Sequence, residues 1–348
     1  MNKLNFDIPF SGFSNLDFIN VLASTLLYLE GVHTADTDYD CAKQSTGQCS
    51  GCRNCHNTLP ATQEKTYFLL DTMCGRSSLR CRFDGTPTEM QRWIGETAAD
   101  DCGTDATVDF LFGYIGYDYR MVTGTSVFAS EIRNSLDRNR PVIARVGGSH
   151  GLYRVIIGQD GSALLEPSYA AAQNLPRQPV TYGDLEALYL IGEKIPRRFT
   201  EKDGLVRIVK VMEYNAAAGL WEEYEQKMGW YGGMDGTSVE EHAARMKRTA
   251  DTMWHTFNSH NFAEVFRYRC SDELKAPAID ELQQNMNTYG YTHDLAWSLI
   301  GMNDIIKWDG QHGGIIIGYA EAIQLILHQI RENDKMVLDI VKRTLKRL

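Results

Sequence analysis

The feature that most restricts the fold is a change of pattern near Glu213. Before it, helical periodicities alternate with short apolar runs bounded by Gly and Pro; after it, only helical periodicities recur. In the first part Leu16, Ile19, Leu22, Ala23, Leu26 and Leu27 fall at helical spacing between Ser14 and Glu30. Ser14 or Asn15 stands where a cap is needed, and Gly31 ends the run. Further helices are expected over 88–98, 105–114, 130–139 and 182–188. Strands are expected over 117–122, 142–146, 152–157, 163–166, 189–194 and 205–211, with Gly158-Gln159-Asp160-Gly161 as a turn. Beyond Glu213 come helices over 216–228, 239–257, 279–289, 292–306 and 316–348. This order predicts an α+β domain over residues 1–212 followed by an all-helical carboxyl-terminal domain over 213–348. A chain of 348 residues, 43% of them hydrophobic, is long enough to bury two cores.

Four of the eight cysteines crowd into an insertion at 41–66, in the order Cys41-x7-Cys49-x2-Cys52-x2-Cys55, with His56 directly after. Zinc wants four soft or borderline ligands, and a Cys-x2-Cys turn lets two thiolates converge on one ion. Cys41, Cys49, Cys52 and Cys55 would complete a closed structural zinc site, and His56 or His33 is able to replace one of them. An iron–sulfur cluster accepts the same four thiolates, and disulfides or free thiols are the remaining readings. The small polar residues between these cysteines suit a loop held by metal rather than by a core.

The formal charge of −10 argues against a nucleic-acid partner, since binding the phosphate backbone depends on a basic face. Residues 342–348 are locally basic, which complements the dipole at a helix end. The amino-terminal residues lack a basic segment followed by an apolar run, and no apolar stretch approaches eighteen residues. The expectation is a cytoplasmic protein with reduced thiols and no membrane partner.

The succession of helix, glycine-marked middle, helix, Arg-Pro-Val strand, paired strands and Glu-Pro resembles the papain-like thiol domains. It is similar to the bacterial bacteriocin-processing double-glycine peptidases and the amino-terminal domain of butirosin biosynthesis protein H, an acyltransferase. The residues that carry the likeness are 22–31 (Leu-Ala-Ser-Thr-Leu-Leu-Tyr-Leu-Glu-Gly), 132–146, Val155-Ile156-Ile157-Gly158-Gln159-Asp160-Gly161 and Leu165-Glu166-Pro167. The match runs over roughly residues 10 to 195. It implies a thiolate at the start of the first helix, a histidine before the strand that ends in Gly158, and a carboxylate that orients the imidazole. Position by position, the nucleophile falls near Asp17 or Phe18, and the first helix holds no cysteine. The histidine position falls at Leu152, with His150 two residues earlier in Gly147-Gly148-Ser149-His150-Gly151, and Glu166 stands at the orienting position.

The expected function is therefore a catalytically degenerate papain-like domain that binds a small molecule or peptide, with the metal loop as a structural clip. An alternative is an active thiol acyltransferase or peptidase with a displaced nucleophile, in which Cys74 works with His150 and Glu166; Cys74 lies between Met73 and Gly75-Arg76, a context able to depress a thiol pKa, although a lone cysteine is more often a buried small hydrophobe of the core. Another is a protein-interaction module that uses the helical domain. Pairs such as His255 and His260 lack an accompanying carboxylate at metal-ligand spacing, and 310–314 has neither of the common phosphate-loop spacings.

Overall fold

The computed structural model describes residues 3–8, 10, 16–31, 61–97, 100–101, 104–147, 153–161, 163–167, 179–223 and 313–348. These residues mix helices and strands, and contacts divide the chain into two compact units. One comprises residues 1–70 and 97–198, the other residues 71–96 and 199–348. Among the described residues, no helix is long and apolar enough to cross a membrane.

The first unit is built on helix α1 (Phe18–Leu29). Its residues Phe18 to Thr25 are buried without a break, so the helix is enclosed on all sides, as its apolar composition demands. Asp17 caps it by accepting a 2.7 Å hydrogen bond from the Asn20 amide. The cap thus lies inside the expected run, beyond Ser14 and Asn15. Helix α2 (Ala61–Met73) follows, and the division between the units falls within it, after Leu70. Its mixture of charged and apolar residues has weak periodicity, which is why no helix is expected there from the sequence.

Helix α3 (Glu89–Ile94) belongs to the second unit, and the chain returns to the first with α4 (Asp105–Ile115). Then come strand β1 (Tyr117–Thr123), helix α5 (Thr125–Leu136) and strands β2 (Val142–Val146), β3 (Tyr153–Ile156), β4 (Gly158–Asp160), β5 (Ala163–Leu165) and β6 (Leu185–Lys194). Four of them form an antiparallel sheet in the order β1-β6-β2-β3, and β4 pairs with β5. Central strand β6 is buried on both faces from Ala187 to Ile191. The register places Tyr189 opposite Ile143, and Ile143 opposite Val155. Phe18 of α1 meets this face, edge-on to Tyr153 with centroids 5.3 Å apart and tilted against Tyr189 at 5.2 Å.

Three expectations are corrected here. Residues 182–188 are not a helix: Tyr182–Asp184 form one 3-10 turn and β6 begins at Leu185. Its Leu, Ala and Glu favour helices in isolation, yet pairing with β1 and β2 overrides that weak preference. Residues 158–160 pair with β5 rather than forming only a turn. Helix α5 spans Thr125–Leu136, five residues ahead of the expected start, because Gly124, at φ 105, lets the chain leave β1 sharply.

The second unit contains the end of α2, α3, helix α6 (Glu201–Ala217) and helix α7 (Gly313–Leu345). The expected strand at 205–211 is the middle of α6. Its β-branched residues misled the local reading, but Leu205, Ile208, Val211, Met212 and Asn215 are buried at helical spacing. Thr200 and Asp203 start the helix with a reciprocal capping box. Helix α7 lies against α6 and buries Ile330, Asn333, Asp334, Val337, Ile340, Val341 and Thr344. The expected helices over 239–257, 279–289 and 292–306 lie outside the described residues.

Every residue from 71 to 81 is buried, although the segment contains Asp71, Thr72, Arg76, Ser77, Ser78 and Arg80. The charged side chains and several backbone carbonyls find partners within the unit, whereas Thr72 Oγ1, Ser77 Oγ and Ser78 Oγ have no hydrogen-bond partner among the described residues. Arg80 grips Asp334 through Nε at 3.0 Å and Nη2 at 2.7 Å, and Trp221 donates to the same carboxylate at 3.1 Å. Asn215 donates to the Ser78 carbonyl at 2.8 Å, and Arg207 to the Cys74 carbonyl at 3.0 Å.

Candidate functional site

The amino-terminal end of α1 holds the expected nucleophile position and lies against the sheet. The amide of Tyr153 donates to the carbonyl of Leu16 at 2.9 Å, so the first residue of β3 sits beside the residue that precedes the α1 cap. Asp17 occupies the expected nucleophile position and is only 1% exposed. One of its carboxylate oxygens is engaged by the Asn20 amide.

One turn further along, the side chain of Asn20 meets Gln63 from α2. Gln63 Nε2 donates to Asn20 Oδ1 at 3.1 Å and to Ser24 Oγ at 3.2 Å. All of these side chains are buried. Burying a carboxamide is costly unless it is hydrogen-bonded, so the pairing fixes α2 against the first two turns of α1. Among the described residues, Gln63 Oε1 and Thr25 Oγ1 have no hydrogen-bond partner. This polar cluster contains a carboxylate, two carboxamides and two hydroxyls, and no thiol. It can orient and hydrogen-bond; it has no strong nucleophile of its own. The sequence reading missed both: Asn20 is signalled as a polar residue on the otherwise apolar α1, whereas Gln63 stands on the mixed helix α2, where a polar residue carries no signal.

Glu166, the expected orienting carboxylate, lies just past β5 in the first unit and pairs with Arg154 of β3, Oε1 to Nε 3.6 Å. Arg154 is itself 6% exposed. His150 lies outside the described residues, as do Cys41, Cys49, Cys52 and Cys55. Among the described residues, no group of three or more His, Cys, Asp or Glu side chains is placed to hold a metal ion.

Cys74 is in the second unit, at the turn after α2, and is wholly buried. Its Sγ donates to the Asp71 carbonyl at 3.2 Å. Burial, reinforced by the negative charge of Asp71, pushes the thiol pKa up to about 12, against a smaller opposing pull from Arg207 and Arg76. Cys74 therefore stays a thiol through the neutral range, and the thiolate is the form that attacks. The expectation of a depressed pKa from the neighbouring Arg76 is reversed because desolvation outweighs the guanidinium, which also pairs with Asp71 at 3.4 Å. Cys81 is also buried, with Gln91 donating to its sulfur at 3.1 Å.

Compared with known proteins, the chain matches no family model, no curated protein and no solved structure.

Proposed function

We propose that the chain carries a papain-like scaffold, over roughly residues 10 to 195, that has lost its nucleophile and works by binding a small molecule or peptide. The observation that carries this reading is the apposition of Leu16 and Tyr153. It joins the start of an enclosed helix to the start of a sheet strand, the two places where such domains keep their thiolate and histidine, and here the helix start is the buried capping carboxylate Asp17. A carboxylate locked as a helix cap does not supply the attack that a thiolate would. The burial of Cys74 and its raised pKa weigh against a displaced nucleophile.

In the same reading Cys41, Cys49, Cys52 and Cys55 hold a zinc ion as a closed structural clip. Four thiolates satisfy a tetrahedral ion without leaving a position for substrate, so the ion supplies stability rather than chemistry. A reducing, cytoplasmic setting keeps those thiols available as ligands.

The test is to incubate the chain with an activated epoxide or acyl probe and to map adducts by mass spectrometry. The proposal expects no stoichiometric adduct outside residues 41 to 55. Selective, stoichiometric labelling of one other cysteine overturns it.

A further inference from the structure

Strand β1 ends the four-stranded sheet, and no other described strand pairs with its outer side. It is seven residues long, and Asp118, Arg120, Met121 and Thr123 are exposed. An edge of this kind presents unpaired backbone amides and carbonyls, which proteins either guard or use to take up an extended chain. The pairing of β1 with β6 is irregular between Tyr117 and Tyr119, and Arg120 is held in an ion pair with Glu131 at 2.6 Å. These features discourage indiscriminate strand pairing while leaving the remainder of the edge in place.

A cavity of about 490 Å³ opens beside that edge, lined by Asp109, Asp118, Tyr119, Met121, Ile195 and Arg198. Its size is that of a ligand pocket. Tyr119 is held flat against Phe112, with centroids 4.3 Å apart, so one wall is a fixed ring; Met121, 45% exposed, is an adaptable apolar wall. The charges are unequal. Arg198 is committed to Asp109, donating to Oδ1 at 2.8 Å and to its backbone carbonyl at 3.2 Å. Asp118 makes no hydrogen bond or ion pair among the described residues, which leaves the cavity with one carboxylate in excess. Asp118 attracts Arg198 only from a distance, so an apolar wall beside a carboxylate with no direct partner complements an aliphatic stem ending in a cation.

From this geometry we infer that β1 takes up an extended peptide segment as an added strand, with a lysine or arginine side chain of that segment seated in the cavity against Asp118. Main-chain hydrogen bonds to the β1 edge supply affinity, and Asp118 selects for the basic side chain. The inference rests on β1 and its cavity alone and stands apart from the reading of α1, so either can fail without the other.

The experiment uses the full ¹⁵N-labelled chain and two blocked pentapeptides, acetyl-Thr-Val-Lys-Val-Thr-amide and its counterpart with Glu in place of Lys, together with n-butylammonium as the bare cation. The lysine peptide is expected to shift the amide resonances of residues 117–123, to slow their hydrogen exchange, and to bind at least about tenfold more tightly than either the glutamate peptide or n-butylammonium. Asp118→Asn should weaken the lysine peptide about tenfold, whereas Asp118→Glu, which keeps the charge, should stay within about threefold. The unliganded spectrum of each variant reports whether the sheet is intact. Equal binding of the two peptides, shifts confined to other segments, n-butylammonium binding as tightly as the lysine peptide, or no binding at millimolar peptide overturns the proposal.

Discussion

The backbone amide of Tyr153 donates to the carbonyl of Leu16 across 2.9 Å, tying the start of β3 to the start of α1. The aromatic face above it, where Phe18 meets Tyr153 and Tyr189, then holds helix and sheet in one orientation. Asp17 is consequently a buried structural cap at the place where the expected chemistry would need a mobile, ionisable thiol.

The buried pair between Arg80 and Asp334 dominates the second unit's polar interior. Arg80 is 2% exposed and Asp334 7%, so removing one partner strands a charge in a low-dielectric setting. Asp334→Ala should cost about 3–5 kcal/mol in urea unfolding of the full chain. Replacing both, as Arg80→Met with Asp334→Leu, should recover most of that loss. A single-variant loss below about 1 kcal/mol would mean that the charge is solvated after all.

Gly204 is where α6 runs against Met73. A Cβ there would lie 2.5 Å from Met73 Sδ and 3.1 Å from Met73 Cβ. Gly204→Ala gains about 1 kcal/mol in helix propensity but overpacks the contact at about 1–3 kcal/mol. The expected outcome is a lower Tm by thermal unfolding. A raised Tm would show that Met73 swings aside freely.

Much of this was legible in the chain. Helix α1 showed itself because its apolar residues are long and closely spaced, and β2 because Val142 to Val146 follows Pro141. Helix α6 was missed although Thr200 and Asp203 spell its capping box, because Val206, Ile208, Val209 and Val211 favour strands locally and only packing decides between the two. Residue types left Cys74 as either a nucleophile or a core hydrophobe, and only its burial decides for the core. A segment in which Asp71, Arg76 and Arg80 are all enclosed has the composition of a surface loop, so its burial is visible only once α6 and α7 are in place.

Lys194 donates to both oxygens of Glu30, at 2.7 and 2.8 Å, and Tyr117 donates to Oε1 at 2.8 Å. The Lys194 bonds, with a smaller contribution from Tyr117, hold the Glu30 carboxyl below its ordinary 4.5, against the opposing effect of burial. A lowered carboxyl pKa stabilises the fold above the unfolded value, and this stabilisation is lost as pH falls through the folded one. Because the Glu30 side chain is 37% exposed, solvent screening limits the effect to roughly 0.5 kcal/mol. Glu30→Gln should flatten the loss of stability from about pH 4.5 downward. Burial, followed by the bond to Glu30, raises Tyr117 to about 12. Its contribution is complete below pH 10 and declines as pH climbs from there to about 12, so Tyr117→Phe should flatten the alkaline limb. Unchanged limbs in both variants would contradict the assignment.

The cysteine cluster is tested by elemental analysis of the purified chain. One zinc per chain is expected, and Cys52→Ser should release it and open residues 41–66 to proteolysis. Retention of a full equivalent of zinc by the Cys52→Ser chain would remove Cys52 from the ligand set.

Whether the proposed thiol-enzyme scaffold works without a thiol is decided by turnover of an activated thioester by the native chain and by Cys74→Ala and His150→Ala variants. The same slow hydrolysis is expected in all three, at the rate that unreactive surface groups produce. A loss of about tenfold or more in both variants, about 1.4 kcal/mol of transition-state stabilisation, would show a working thiol and contradict the proposal.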